Sequence, residues 1–249
     1  MLNIILCGCG GRMGAAVAAA AAAAGDRIVA GVDVNPTAAT TYPVFHSPEE
    51  FEGHADVMID FSHHSALPAL LAYATRTGTP LVVATTGHTE EEMAQMRKAA
   101  ARVPIFFSRN MSLGITLLIS LCRRAAATLG ADFDIEIIEK HHNKKLDAPS
   151  GTALMIADAL SENEEHPYVY DRHAERRARE RGEIGLHAVR GGTIVGEHEV
   201  MFCGKDEIVT LSHSAASREV FATGALRAAN FLVGKSAGFY NMDDVVNSL

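Results

Sequence analysis

The densest chemistry in the chain lies in EKHHNKKLDAPSGTA, Glu139–Ala153. Two histidines and three lysines fall within seven residues, and a Pro-Ser-Gly-Thr turn follows. Lysine crowded by other cations releases its proton more readily, and histidine titrates near neutrality, so the group His141, His142, Lys144 and Lys145 could include one able to give a proton. Ser150 stands as an N-cap before Gly151, Thr152 and an apolar helical run. Such a helix start offers N–H groups and a hydroxyl to a carboxylate or phosphate. Pro149 stiffens its entry by fixing its own φ. Cations, an anion-holding helix start and a proton source together suit a small dianion whose C=C or C=N bond is reduced beside a nicotinamide. A solvated basic loop is the plain alternative for the lysines, and the adjoining turn argues against it. His141 and His142 make no metal pair, because neighbours on a strand point to opposite faces. No metal is expected.

These residues leave the carboxyl end of FDIEIIEK, a run that alternates as a strand, and lead into the helix GTALMIADAL. Before them, short β-rich runs (NIILCG, RIVAGVDV, ADVMIDFS, PLVVATTG, PIFFSRN) alternate with helical stretches, which argues for a parallel sheet with helices on both faces. After Leu113 the pattern changes to a long apolar helix over residues 114–129 and then alternating strands (LHAVRGG, TIVGEHEVMFCG, DEIVTLSHS), which suggests a mostly antiparallel, open sheet. The charged stretch RHAERRARERGEIG reads as a solvated loop or exposed helix. The fold class is therefore α/β: an N-terminal Rossmann-type parallel sheet plus a C-terminal α+β domain with an open mixed or antiparallel sheet. The expected division is residues 1–111 and 219–249 for dinucleotide binding, and 112–218 for substrate binding and oligomerisation.

Between the first strand and first helix stands GCGGRMG, with glycines at Gly8, Gly10, Gly11 and Gly14. Glycines there let the chain turn tightly and let a pyrophosphate approach the backbone, with the helix N-terminus facing the anion. Asp33 ends the second strand, where an acid hydrogen-bonds the adenosine ribose. Val34 and Asn35 follow with no arginine for a 2′-phosphate, which leans toward NADH over NADPH, although Arg12 can still serve a phosphate. ATTGH, from Ala84, and SRNMS, from Ser108, each follow a predicted parallel strand and would face the nicotinamide half of the cofactor.

The totals fit a small-molecule enzyme. The 249 residues carry a formal charge of −8, so nothing implies a nucleic-acid or anionic-membrane surface. The four cysteines form no metal or disulfide framework. The alanine run in the first helix is too short for a membrane span and lacks signal-peptide flanks, so a soluble cytoplasmic protein is expected.

The eighteen residues EIIEKHHNKKLDAPSGTA resemble the signature of the 4-hydroxy-tetrahydrodipicolinate reductase (dihydrodipicolinate reductase) family, and the likeness extends to GCGGRMG, IDFS, ATTG, SRNMSLG, RGGTIVGEHEVMF and SREVFATGALRAA. That resemblance implies reduction to tetrahydrodipicolinate in the diaminopimelate and lysine pathway, with NADH or NADPH. It makes His141 the proton donor and acceptor and Lys145 the proton donor. It gives His142, Gly151 and Thr152, with Ser150 beside them, to the carboxylates of a small dicarboxylate substrate. The cofactor would lie on Gly8, Cys9, Gly10, Gly11, Arg12, Met13, Asp33, Ala84, Thr85, Thr86, Ser108, Arg109, Asn110 and Met111. A homotetramer assembled through the open sheet is implied as well. Ala84 and Ser108 depart from the residues common in the family, glycine and alanine, but both are small.

Overall fold

The computed structural model describes residues 1–35, 40–161 and 166–248. In chain order come β1 (Asn3–Cys7), α1 (Arg12–Ala24), β2 (Arg27–Val32), β3 (Val44–Phe45), β4 (Val57–Asp60), α2 (Leu67–Thr77), β5 (Leu81–Val83), α3 (Glu90–Ala99) and β6 (Pro104–Phe107). Next are α4 (Leu113–Leu129), β7 (Asp134–His141), α5 (Gly151–Leu160), β8 (Tyr168–Val169), α6 (Arg172–Glu175), β9 (Ile184–Arg190), β10 (Gly196–Cys203) and β11 (Ile208–Ala215). The chain closes with α7 (Glu219–Leu232), β12 (Gly238–Tyr240) and α8 (Met242–Asn247). Two units result: Met1–Leu113 with the segment from Arg218, and Gly114–Ser217.

In the first unit every strand pairing is parallel, in the order β12-β6-β5-β4-β1-β2-β3. Its strands are mostly apolar because both faces are covered. Ile4 and Leu6 enter one core with Val17, Ala21, Ala225 and Leu226 of α1 and α7, while Ile5 and Cys7 enter another with Leu70, Tyr73 and Met96 of α2 and α3. The period-2 alternation of one strand thus feeds two cores. The chain runs outward from β1 to β3 and then returns to β4 on the other side of β1. The switch point where ligands bind in such sheets therefore lies beyond Cys7.

The second unit holds a five-stranded mixed sheet, β11-β10-β7-β9-β8. β10 runs antiparallel to β7 and β11, whereas β9 runs parallel to β7 and β8. The sheet is mixed, as the fold class allowed, and its parallel part has a physical source: 42 residues lie between β7 and β9, and a connection that contains α5 allows a parallel return. Ile137, Ile184, Leu186, Val200 and Phe202 form the covered face against Ile115, Ile119 and Cys122 of α4 and Ile156 of α5. The run Leu113–Asp132 is long and apolar enough to cross a membrane. One stripe of it, Ile115, Leu118, Ile119 and Cys122, is buried in this core. The charged stretch is not merely solvated. Arg172 and Arg179 both reach Glu136 on β7, and Arg172 and Arg177 neutralise buried Glu183. Burial raises the Glu136 carboxyl, but hydrogen bonds from His187, Arg179 and Arg172 outweigh it and hold the group below its ordinary range.

Candidate active site

Alternation along β7 places Ile137, Glu139 and His141 on one face, so the acid and the histidine emerge together where the apolar part of that face ends. Glu139 is fully buried. It accepts a two-pronged hydrogen bond from Arg190 at the end of β9, with both distances 2.7 Å. It also accepts the His141 Nδ1–H at 2.6 Å and the Ser150 N–H at 2.9 Å. Burial raises its carboxyl, and the bonds from Arg190, His141 and Ser150 outweigh that and hold it below the ordinary carboxylate range. An ionised Glu139 fixes the proton of His141 on Nδ1 and leaves Nε2 as the nitrogen able to take up or return a proton. That nitrogen faces Gly196 of β10, where an added Cβ would lie 3.1 Å away.

The loop after β7 is pinned by Arg190, which also donates to the Asp147 carbonyl at 2.6 Å, and by Gly191 N–H to the His141 carbonyl at 2.9 Å. Within it Lys145 Nζ pairs with Asp147 at 2.8 Å, which lowers the Asp147 carboxyl. The turn passes through a cis Ala148–Pro149 bond into Ser150, the N-cap of α5, whose hydroxyl accepts the Ala153 N–H at 3.2 Å. Gly151 is exposed, and an added Cβ there would meet nothing within 4 Å, while its N–H bonds the Asp147 carboxylate and helps Lys145 hold that group below its ordinary range. Thr152, next to Gly151, and His142, nine positions before it, are half-buried. Ser150 differs from its neighbours. It is buried, and its N–H and hydroxyl already bond within the protein. Of the remaining lysines, Lys140 is held by Glu197 on β10 at 3.1 Å, and Lys144 is exposed.

In the first unit the carboxyl ends of β2, β1, β4, β5 and β6 lie side by side, so the glycine loop, Asp33, Ala84–Thr86 and Ser108–Met111 line one edge of the sheet. Gly8 has φ +76°, and an added Cβ would lie 2.8 Å from Ser62 Cα. On Gly14 a Cβ would collide with the Gly8 carbonyl and lie 2.7 Å from Cys9 Cα, so only glycine lets α1 start this close to the loop. No side chain caps α1, and Gly10, Gly11 and Arg12 are exposed, as a phosphate-binding helix start requires. Asp33 lies just past β2 and accepts the N–H groups of Gly10 and Asn35, each at 2.9 Å. Cys9 and Met111 have buried side chains in the core, so only their backbone is available to a cofactor, and Met13 also packs inward. Thr85 and Ala84 are buried, while Thr86 and Arg109 are exposed. Ser108 Oγ is occupied by the Asn110 carbonyl at 2.6 Å.

Sequence reasoning quoted Glu139 and Arg190 within motifs without giving them work. The signal for Glu139 was its i, i+2 spacing to His141. Arg190 sits 51 positions away in sequence, and only the register of β7 with β9 brings it in. Asp60 at the end of β4 was missed too. Burial raises its carboxyl, against hydrogen bonds from the Ser62 hydroxyl and N–H at 2.5 and 2.9 Å.

A parallel sheet with an uncapped, glycine-led helix at its switch point, joined to a unit carrying a carboxylate-oriented histidine, defines a Rossmann-type oxidoreductase. The sequence profile described as dihydrodipicolinate reductase, N-terminus, matches residues 2–111, and that of its C-terminus matches 114–246. The chain belongs to the dihydrodipicolinate reductase family. It is 53% identical to 4-hydroxy-tetrahydrodipicolinate reductase of Caldanaerobacter subterraneus subsp. tengcongensis, covering 99% of this chain and 98% of that one. It is 46% identical to the enzyme of the same name from Clostridium tetani, over 100% and 98%. Among solved structures, dipicolinate-bound dihydrodipicolinate reductase from Paenisporosarcina sp. TG-14 matches with a TM-score of 0.81 at 25% identity, over 97% of both chains.

Proposed function

We propose that this protein is an NAD(P)H-dependent oxidoreductase that carries out the reaction its relatives are named for, reducing 4-hydroxy-tetrahydrodipicolinate to tetrahydrodipicolinate in diaminopimelate and lysine biosynthesis. The observation that carries the reading is the Glu139 carboxylate, which binds His141, Arg190 and the N–H of Ser150 at once and so joins the proton carrier to the anion-holding start of α5. When bound, the nicotinamide would supply the hydride, and the substrate's 4-hydroxyl leaves as water, so the net uptake is one hydride and one proton. Everything else is asked of the chain. Gly151 and Thr152, with His142, hold a carboxylate of the dicarboxylate, and Lys145 adds positive charge and delivers the proton. His141 Nε2 takes up and returns a proton while Glu139 stabilises the imidazolium.

The first unit holds the cofactor through Gly8–Met13, Asp33, Ala84–Thr86 and Ser108–Met111. NADH is favoured over NADPH because Asp33 is followed by Val34 and Asn35, with no arginine directly after it for a 2′-phosphate. The protein works in the cytoplasm as a homotetramer, and exposed Val189 and Ile208 on the second sheet support association through that surface. Replacing Lys145 with alanine tests the chemistry: kcat falls at least about a hundredfold with NADH affinity nearly intact. Wild-type turnover in that variant would remove Lys145 from the mechanism.

A further inference from the structure

His88 ends the loop that follows β5, and the mechanism above does not use it. Thr86 and Gly87 are exposed and the chain turns at Gly87, with φ +82°. His88 then drops its side chain back inside, where only 1% of it is exposed. Both ring nitrogens are buried, and neither has a hydrogen-bond partner among the described residues. The ring stands edge-on to Phe107 at the end of β6 and to His64 in the turn after β4, with centroids 5.7 and 6.3 Å away. Its Nδ1 is 3.6 Å from Glu92 Oε2 in the first turn of α3. That is near enough for the charge to be felt and too long for a hydrogen bond.

Glu92 is where three segments meet. Its carboxylate accepts the Thr89 N–H at 2.8 Å, which with the Thr89 hydroxyl closes the cap of α3, and it bonds His64 Nδ1 at 2.9 Å. These bonds, the one to His64 first, hold the carboxyl below its ordinary range, so it is ionised at neutral pH. Buried Asp60 at the end of β4 is a second carboxyl that feels the charge of His88. A buried imidazole with two unbonded nitrogens is costly, and the carboxylate beside Nδ1 offers the relief. A shift of about 0.6 Å brings the pair to ordinary N–H···O distance. His88 carries the loop with it, since Ala84 at the other end is already tied by its N–H to the Asp60 carbonyl at 2.9 Å. Thr85 and Thr86 lie between the two anchors.

We propose that His88 is a positioning residue for the cofactor: its Nδ1–H engages the Glu92 carboxylate and so holds Thr85 and Thr86 in the conformation that receives the nicotinamide half. This rests on the assignment of the loop after β5 to that half. His88→Phe keeps a ring against Phe107 and removes both nitrogens, whereas His88→Asn carries an amide N–H near the position of Nδ1. A loop that keeps its competent conformation about one time in ten weakens binding about tenfold. His88→Phe is therefore expected to raise the NADH Kd about tenfold, measured by calorimetry, and to leave the Kd for ADP-ribose, which lacks the nicotinamide, within about twofold. His88→Asn brings the NADH Kd back to within about threefold of wild type. Glu92→Gln, which keeps an acceptor for the Thr89 N–H, is expected to weaken NADH and spare ADP-ribose in the same way. The double variant His88→Phe/Glu92→Gln should be no weaker than the worse single, because the two act through one contact. A wild-type NADH Kd in His88→Phe, an equal rise for both ligands, or an asparagine variant as impaired as the phenylalanine one would overturn the proposal. Wild-type protein that binds NADH no more tightly than ADP-ribose would overturn the assignment of the loop, and the proposal with it.

Discussion

Glu139→Gln removes a charge and little else, and the site is built to notice. The carboxylate takes four hydrogen bonds, two of them from Arg190, and is fully buried. A glutamine has one acceptor oxygen and turns an NH2 toward groups that already donate. Arg190, whose side chain is 19% exposed, then loses its counter-charge in a mostly dry setting. Removing one partner of a buried pair costs about 3–5 kcal/mol, and the lower end, about 3 kcal/mol, applies because Arg190 keeps the Asp147 carbonyl and some water. In a urea titration followed by far-UV circular dichroism the midpoint is expected to fall by about 1 M. His141 loses the acceptor that fixes its tautomer, and kcat is expected to drop about a hundredfold with NADH affinity unchanged. The pH dependence has a definite sign. The folded Glu139 carboxyl is held below its ordinary range, so its stabilisation is complete above about pH 4.3 and fades as pH falls through the lower folded value. The variant should therefore lose less stability than wild type on acidification below that point. A variant with wild-type kcat would refute the role given to Glu139, whatever its stability.

Two further changes probe the first unit. Asp33→Ala removes the acceptor for the Gly10 N–H along with the group assigned to the ribose, and should raise KM for NADH about tenfold and for NADPH less. An equal rise for both would mean that Asp33 only shapes the loop. Gly14→Ala drives a methyl into the Gly8 carbonyl, so cofactor affinity should collapse and stability should fall by about 1–3 kcal/mol, measured by NADH fluorescence titration and denaturation.

Local pattern was enough to read most of the elements, and the exceptions have a common cause. β3 and β8 have two residues each and β12 has three, too few for a period to show. PLVVATTG reads as a strand to its end, but the strand ends at Val83, with the Ala84 N–H making a last bond to the Asp60 carbonyl at 2.9 Å. The site divides the same way. His141, Lys145 and the cap at Ser150 are contiguous and were legible. Arg190 reaches Glu139 from 51 positions away and buried His198 reaches the Ser150 hydroxyl from 48, through strand pairings that no local pattern encodes. The charged stretch is largely the exposed loop and short helix expected, but the pairing of Arg179 with Glu136 and Asp134 was not legible because those partners lie on a different element.

The most direct test supplies the purified protein with substrate generated in situ by its synthase and follows nicotinamide absorbance with NADH and NADPH side by side. The expected result is substrate-dependent oxidation of the nucleotide, with a higher kcat/KM for NADH. No oxidation with either nucleotide would contradict the assigned reaction.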